Sequence, residues 1–121
     1  MDQETFDRLV EEALSSIPEE FQDKLDNVEL LIADWPTQEQ LNRAGLGPGR
    51  TLLGLYQGVP HPQRGSGYNL IPPDIITLFR GPIAAVGRTR SGIAHIIRRT
   101  VLHEIAHHFG FDEEQLRELG Y

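Results

Sequence analysis

The segment from Ser91 to Phe109 leaves few architectures open to this chain of 121 residues. Apolar residues recur along it at helical spacing, which predicts one long α-helix that ends at Gly110. They fall on more than one side of that helix: Ile93, Ile97, Val101, Leu102, Ile105 and Phe109. Such a helix needs neighbours on several sides, so we expect it to lie at the centre of the fold.

The rest of the chain predicts a single small α+β domain, 1–121, built around that helix. An amphipathic helix is predicted from Phe6 to Ile17, where Pro18 ends it. The other predicted elements are a strand at 28–33, a short helix from Thr37 to Gly45, strands at 51–58 and 74–80, and a last helix that Asp112 caps and Gly120 ends. Gly81 and Pro82 are expected to break the last strand, and 59–73 is expected to be irregular.

Composition excludes several kinds of site and supports others only weakly. The chain has no cysteine, which rules out disulfides, thiolate zinc sites, iron–sulfur clusters and cysteine nucleophiles. No apolar run approaches the roughly 18 residues of a membrane helix, so no membrane partner is expected. The acidic start, Met1 to Glu4, does not resemble a secretory signal, so a cytoplasmic location is expected.

Charge is unevenly distributed along the chain. The net charge is −7, divided into −9 over 1–34, +6 over 35–100 and −4 over 101–121. All the bases of the middle block are arginines, but aromatic residues do not interleave with them as stacking platforms for bases would. We therefore interpret the blocks as a packed or solvated charge pattern, and a nucleic-acid partner is not favoured.

The predicted central helix carries the sequence H-E-x-x-H, from His103 to His107. Residues four apart lie on one helix face, so both imidazoles can reach one metal ion. Glu104 lies about 100° round the helix from His103, beside the ligand face rather than on it. That is the position of a general base next to an activated water.

A catalytic zinc site needs a third protein ligand. Gly110 can end the helix and turn the chain back, because glycine tolerates a positive φ. Glu113, three residues later, is the predicted third ligand in the pattern H-E-x-x-H-x-x-G-x-x-E. Asp112 is the competing candidate, although capping the last helix is its alternative use.

The sequence also resembles the small bacterial zincin-like metallopeptidases, a group called minimal metallopeptidases. The segments that carry this resemblance are FDRLVEEALSSIPEEF, LLGLYQGVPHPQR, IPPDIITLFRGPI and TVLHEIAHHFGFDEEQLRELG. It implies a small twisted sheet of about three or four strands, a backing N-terminal helix and an active-site helix. It also implies one zinc ion at His103 and His107 with an acid after the glycine. Family members usually have Asp where this chain has Glu113.

These observations predict a zinc-dependent metallopeptidase that acts on a peptide or protein substrate with Glu104 as general base. The substrate is expected to lie along an exposed strand edge, either that of 51–58 or that of 74–80. One alternative is a zinc-dependent ribonuclease-like hydrolase, although a small ribonuclease family with similar spacing lacks the Glu beside the first His. Another is a non-catalytic, metal-stabilised peptide-binding module. The oligomeric state is left open.

Three further residues have more than one possible role. His108 lies about 140° from His103 round the helix, so it is predicted to face away from the metal. Tyr56 and Tyr68 could each polarise a substrate carbonyl, but packing or loop anchoring is the favoured interpretation.

Overall fold

A computed structural model describes residues 1–46, 50–58, 72–110 and 112–118. Its helices are α1 (Gln3–Ser15), α2 (Glu19–Lys24), α3 (Gln38–Arg43), α4 (Arg80–Gly87), α5 (Arg90–Phe109) and α6 (Glu113–Glu118). Its strands are β1 (Val28–Ala33), β2 (Gly54–Gln57) and β3 (Asp74–Phe79). In these parts of the chain no helix is long and apolar enough to span a membrane.

The three strands form one mixed sheet in the order β1-β3-β2. β1 runs parallel to β3, with Val28 opposite Asp74, and β2 runs antiparallel to β3, with Gly54 opposite Leu78. The predicted α+β class is therefore confirmed. Among the described strands β3 is central, so of the two strands that the sequence left open, β2 and not β3 lies at an edge of the sheet.

Helix α5 occupies the centre of the fold, as its apolar pattern predicts. It contacts β2 and β3 of the sheet and also packs against α1 and α4. Its buried residues are Ile93, Ile97, Thr100, Val101, Leu102, Ile105 and Ala106. All of them except Thr100 join one cluster with apolar side chains of α1 and β3, among them Phe6, Leu9, Val10, Ile76 and Leu78. The sheet and α1 therefore hold α5 between them.

Capping residues fix where the helices begin. The Thr5 N–H donates to Asp2 Oδ1 at 2.8 Å, which satisfies one of the free N–H groups at the start of α1. Thr37 and Gln40 form a capping box at the start of α3. At the start of α5, the Gly92 N–H donates to Thr89 Oγ1 at 3.0 Å.

The segment after β3 corrects a prediction. Gly81 and Pro82 were expected only to break the strand, yet β3 ends at Phe79 and α4 starts at once with Arg80. Pro82 is the third residue of α4, where an N–H has no partner within the helix, so proline costs nothing there. At Gly81 a Cβ would lie 2.4 Å from the Trp35 ring, so glycine lets Trp35 cover the start of α4.

Other boundaries also differ from the prediction. Strand β2 covers only Gly54–Gln57 of the predicted 51–58. The predicted irregular stretch 59–73 lies outside the described residues except for its last two positions, and so does the predicted helix end at Gly120.

Candidate active site

The C-terminal half of α5 brings His103 and His107 together. Their ring centroids are 6.4 Å apart and the rings are tilted by 51°. His103 is half-buried and His107 is exposed, so the pair faces outward at the surface of the fold. The helix itself sets this spacing, because residues four apart are stacked one turn above the other.

The chemistry of this pair fits a zinc ion. Imidazole nitrogen is a preferred zinc ligand at about 2.0–2.1 Å, so two rings bound to one tetrahedral ion have centroids about 5.3 Å apart. The observed 6.4 Å is roughly 1 Å wider than that. The two rings therefore have to turn toward each other for both nitrogens to bind one ion.

Glu104 lies beside this pair and is half-buried. Burial raises the pKa of its carboxyl, while the His107 imidazole and a hydrogen bond from the Tyr56 backbone act in the opposite direction. A carboxylate with a raised pKa is a stronger base than an exposed one. The structure thus places a partly desolvated carboxylate next to the two histidines, and its oxygens are oriented by strand β2.

The edge of β2 faces this carboxylate. The Phe79 N–H donates to the Leu53 carbonyl at 3.0 Å, so Leu53 directs its backbone toward β3. Backbone groups alternate in direction along a strand, which turns those of Gly54 and Tyr56 to the opposite edge. The hydrogen bond between the Tyr56 backbone and Glu104 agrees with that direction.

Gly54 allows β2 to approach α5 this closely. A Cβ at this position would lie 2.6 Å from Thr100 Cγ2 and 3.3 Å from the Thr77 carbonyl oxygen. Thr100 is buried and belongs to the turn of α5 that precedes His103. The absence of a side chain at Gly54 therefore sets the distance between the strand edge and α5.

Three side chains next to the site form a polar group that we call the Tyr56 cluster: Tyr56, Asp74 and His108. The Tyr56 hydroxyl donates to Asp74 Oδ2 at 2.7 Å. The Tyr56 and His108 rings stack with centroids 4.0 Å apart and an interplanar angle of 15°. His108 Nε2 lies 3.6 Å from the same Asp74 oxygen. The cluster ties β2, β3 and the end of α5 together.

The cluster also explains the environment of Tyr56. Burial raises the pKa of its phenol above the usual value, and the hydrogen bond to Asp74 and the charge of that carboxylate add to the effect. His108, predicted to face away from the metal, has its ring against Tyr56. Sequence reasoning missed Asp74, because its place opposite Tyr56 depends on the pairing of β2 with β3.

The third predicted ligand is not placed by the described residues. Gly110 has φ 81° and ψ 15°, the left-handed conformation expected of a glycine that ends a helix. Asp112 serves as a cap, because the Gln115 N–H donates to Asp112 Oδ1 at 2.8 Å and the Asp112 N–H donates to Gln115 Oε1 at 2.8 Å. Glu113 begins α6, but its side chain lies outside the described residues.

The side chains that the structure describes do not group three metal-binding residues around one point. Capping uses one oxygen of the Asp112 carboxylate, and Glu114 is exposed on the first turn of α6. The assignment of Glu113 as third ligand stays a prediction.

A cavity of about 460 Å³ opens beside the motif. The described residues that line it are Leu46, Thr51, Leu52, Leu53, Gly54, Val86, Ile96, Arg99, Thr100, His103 and Glu104. No pattern in the sequence predicted it, because its walls come from four separate parts of the chain. The only local indication of this cavity in the sequence was the helical spacing that places Ile96, Arg99 and His103 on one side of α5.

Comparison with known proteins agrees with the geometry. The model of one family, described as zincin-like metallopeptidase, matches residues 25–121. The matched region contains the whole sheet, helix α5 and the H-E-x-x-H motif. A search of curated proteins gave no match.

Proposed function

Because this chain belongs to the family of zincin-like metallopeptidases, we propose that it hydrolyses peptide bonds with one zinc ion held by His103, His107 and Glu113. One observation carries the proposal: two histidines on one face of α5 flank a half-buried glutamate that the edge of β2 orients. When bound, zinc supplies Lewis acidity, which lowers the pKa of water toward about 7 and polarises the substrate carbonyl.

Glu104 moves the protons in the proposed reaction. Its carboxylate accepts a proton from the water whose oxygen attacks the carbonyl carbon. As the carbon–nitrogen bond breaks, Glu104 gives that proton to the leaving amine. Its position beside the two histidines suits both steps, because one carboxylate can accept the proton from the water and then donate it to the amine.

The outer edge of β2 is the proposed track for the substrate backbone. An extended peptide can add to a free strand edge by main-chain hydrogen bonds. The outward backbone groups of Gly54 and the Tyr56 carbonyl lie beside α5, whereas the Tyr56 N–H donates to Glu104, so a peptide bound along this edge passes the two histidines and Glu104. Such pairing predicts that extended or unfolded substrates are preferred over folded ones.

Replacement of the general base tests this assignment. We expect Glu104→Gln to keep its zinc, measured by elemental analysis, and to hydrolyse casein or a peptide library about 10²–10⁴-fold more slowly. Glu11→Gln is the matched control, since Glu11 is an exposed residue of α1. Loss of zinc by Glu104→Gln to the same degree as by His103→Ala would show that Glu104 is a ligand rather than a base.

The same preparations distinguish the alternative functions. A ribonuclease-like hydrolase would cleave structured RNA and leave casein intact. A non-catalytic module would bind peptides, and Glu104→Gln would then change no measured rate. The glutamate next to the first histidine and the family match both favour the peptidase.

A further inference from the structure

The cavity beside the motif combines a mostly aliphatic wall with direct contact to the proposed reaction centre. Leu46, Leu52, Leu53, Val86 and Ile96 supply the aliphatic part. His103 and Glu104 form one end, so a group inside the cavity lies next to the bond that Glu104 would help to break. This reasoning rests on the proposed peptidase function.

The size of the cavity suits a side chain of a substrate. Its volume of about 460 Å³ lies within the roughly 300–1,000 Å³ range of pockets that bury small ligands. A Leu or Phe side chain is smaller than this volume, so the cavity can hold either one. Val86, on the last turn of α4, is 53% exposed, and a bound apolar side chain would cover it.

Charge on the described lining is also distinctive. Among the described residues that line the cavity, Arg99 carries a positive charge and Glu104 a negative one. The carboxylate of Glu104 accepts a hydrogen bond from the β2 backbone. Arg99 lies one helical turn before His103, on the same side of α5. A lysine or arginine side chain in the cavity would meet the like charge of this guanidinium, and because Arg99 is exposed, water would screen part of the repulsion.

We propose that this cavity is a specificity pocket that takes a large apolar substrate side chain next to the scissile bond, and that Arg99 excludes basic side chains from it. Apolar pockets discriminate by about 10–200-fold between side chains that differ by a methylene group. We therefore expect cleavage beside Leu or Phe to exceed cleavage beside Lys by at least 10-fold.

Two substitutions with matched controls test the pocket in a peptide library. Arg99→Glu should raise cleavage beside Lys relative to Leu by about 10–100-fold, while Arg90→Glu, nine residues earlier on α5 and outside the lining, should not. Val86→Trp should fill the cavity and shift preference from Phe toward Ala. Leu31→Trp is its control, since Leu31 is a similarly exposed residue of β1. An unchanged Leu-to-Lys ratio in Arg99→Glu would overturn the proposal.

A binding measurement separates failure of the pocket from failure of the proposed reaction. The zinc-loaded protein is titrated with N-acetyl-leucinamide and N-acetyl-lysinamide while the amide resonances of Val86 and Ile96 are followed. Saturable shifts with the leucine probe and not the lysine probe support the pocket, even if no peptide is hydrolysed. No saturable shift with either probe would refute it, even if the protein is an active peptidase.

Discussion

Gly54→Ala is expected to damage catalysis more than stability. The new Cβ would lie 2.6 Å from Thr100 Cγ2, and ordinary contact needs about 1 Å more. Overpacking of this kind lowers the free energy of unfolding by about 1–3 kcal/mol. Alanine has a lower chain entropy than glycine in the unfolded state, which offsets about 0.4–1 kcal/mol of that loss. We therefore expect a net loss of about 1–2 kcal/mol in the free energy of unfolding. A 1 Å shift of β2 from α5 would lower activity by about 10²-fold.

The measurement is urea unfolding together with peptide hydrolysis at saturating zinc. Thr100→Ser removes the clashing methyl group, so it should restore most of the activity in the double variant, although alone it costs about 0.5–1.5 kcal/mol. Gly58→Ala is the matched control, because a Cβ there would lie 3.4 Å from His108 Cε1, an ordinary contact. It should leave stability nearly unchanged.

Two outcomes would refute this reasoning. If Gly54→Ala kept full activity while losing stability, the spacing of β2 and α5 would not control Glu104. If Thr100→Ser failed to restore the double variant, the clash would lie elsewhere, and the Thr77 carbonyl at 3.3 Å would be the next candidate.

Three further predictions address the Tyr56 cluster and the metal. Tyr56→Phe should lower the free energy of unfolding by about 1–3 kcal/mol at pH 7, because it removes a hydrogen bond to the Asp74 carboxylate. Burial raises the pKa of Tyr56, so the wild type should lose this advantage as pH rises above about 10, which urea titrations at several pH values would show. Chelation should reduce hydrogen-exchange protection after about residue 100 but not in α1, whereas a uniform loss would contradict a local role for the metal. Zinc affinity should fall by well over 100-fold in Glu113→Ala and stay near normal in Asp112→Ala and Glu114→Ala. If Asp112→Ala lost zinc affinity while Glu113→Ala kept it, the third ligand would be Asp112.

Elements with their own local signal were predictable from the sequence. The periodicity of α1 and α5, the capping pairs at Thr37 and Asp112 and the glycine stop at Gly110 each depend on residues close together in the chain. Helix α4 was missed because Gly81 and Pro82 disfavour helix in general but are tolerated in its first turn. Its formation depends on Trp35 and the Asp34 carbonyl, which accepts the Gly81 N–H at 2.9 Å.

The residues of the candidate site also divide into those that local sequence predicts and those that it does not. His103, Glu104 and His107 share one helix, so their relative positions follow from helical geometry. Asp74 reaches Tyr56 only through strand pairing, and the cavity needs α4, α5 and the chain before β2 to meet. Contacts between segments that are far apart in the chain do not produce a fixed spacing of residues, so the sequence alone did not predict them.

Helix α1 packs into the core although it precedes the segment by which the family is recognised. The family match begins at residue 25, whereas α1 ends at Ser15. Yet Phe6 is fully buried and packs in the same cluster as Ile97 and Val101 of α5. A shortened chain that began at the recognised boundary would bare that side of α5 to water. The two histidines would then lie on a helix that has lost its packing contacts with α1. Domain boundaries for expression should therefore include α1.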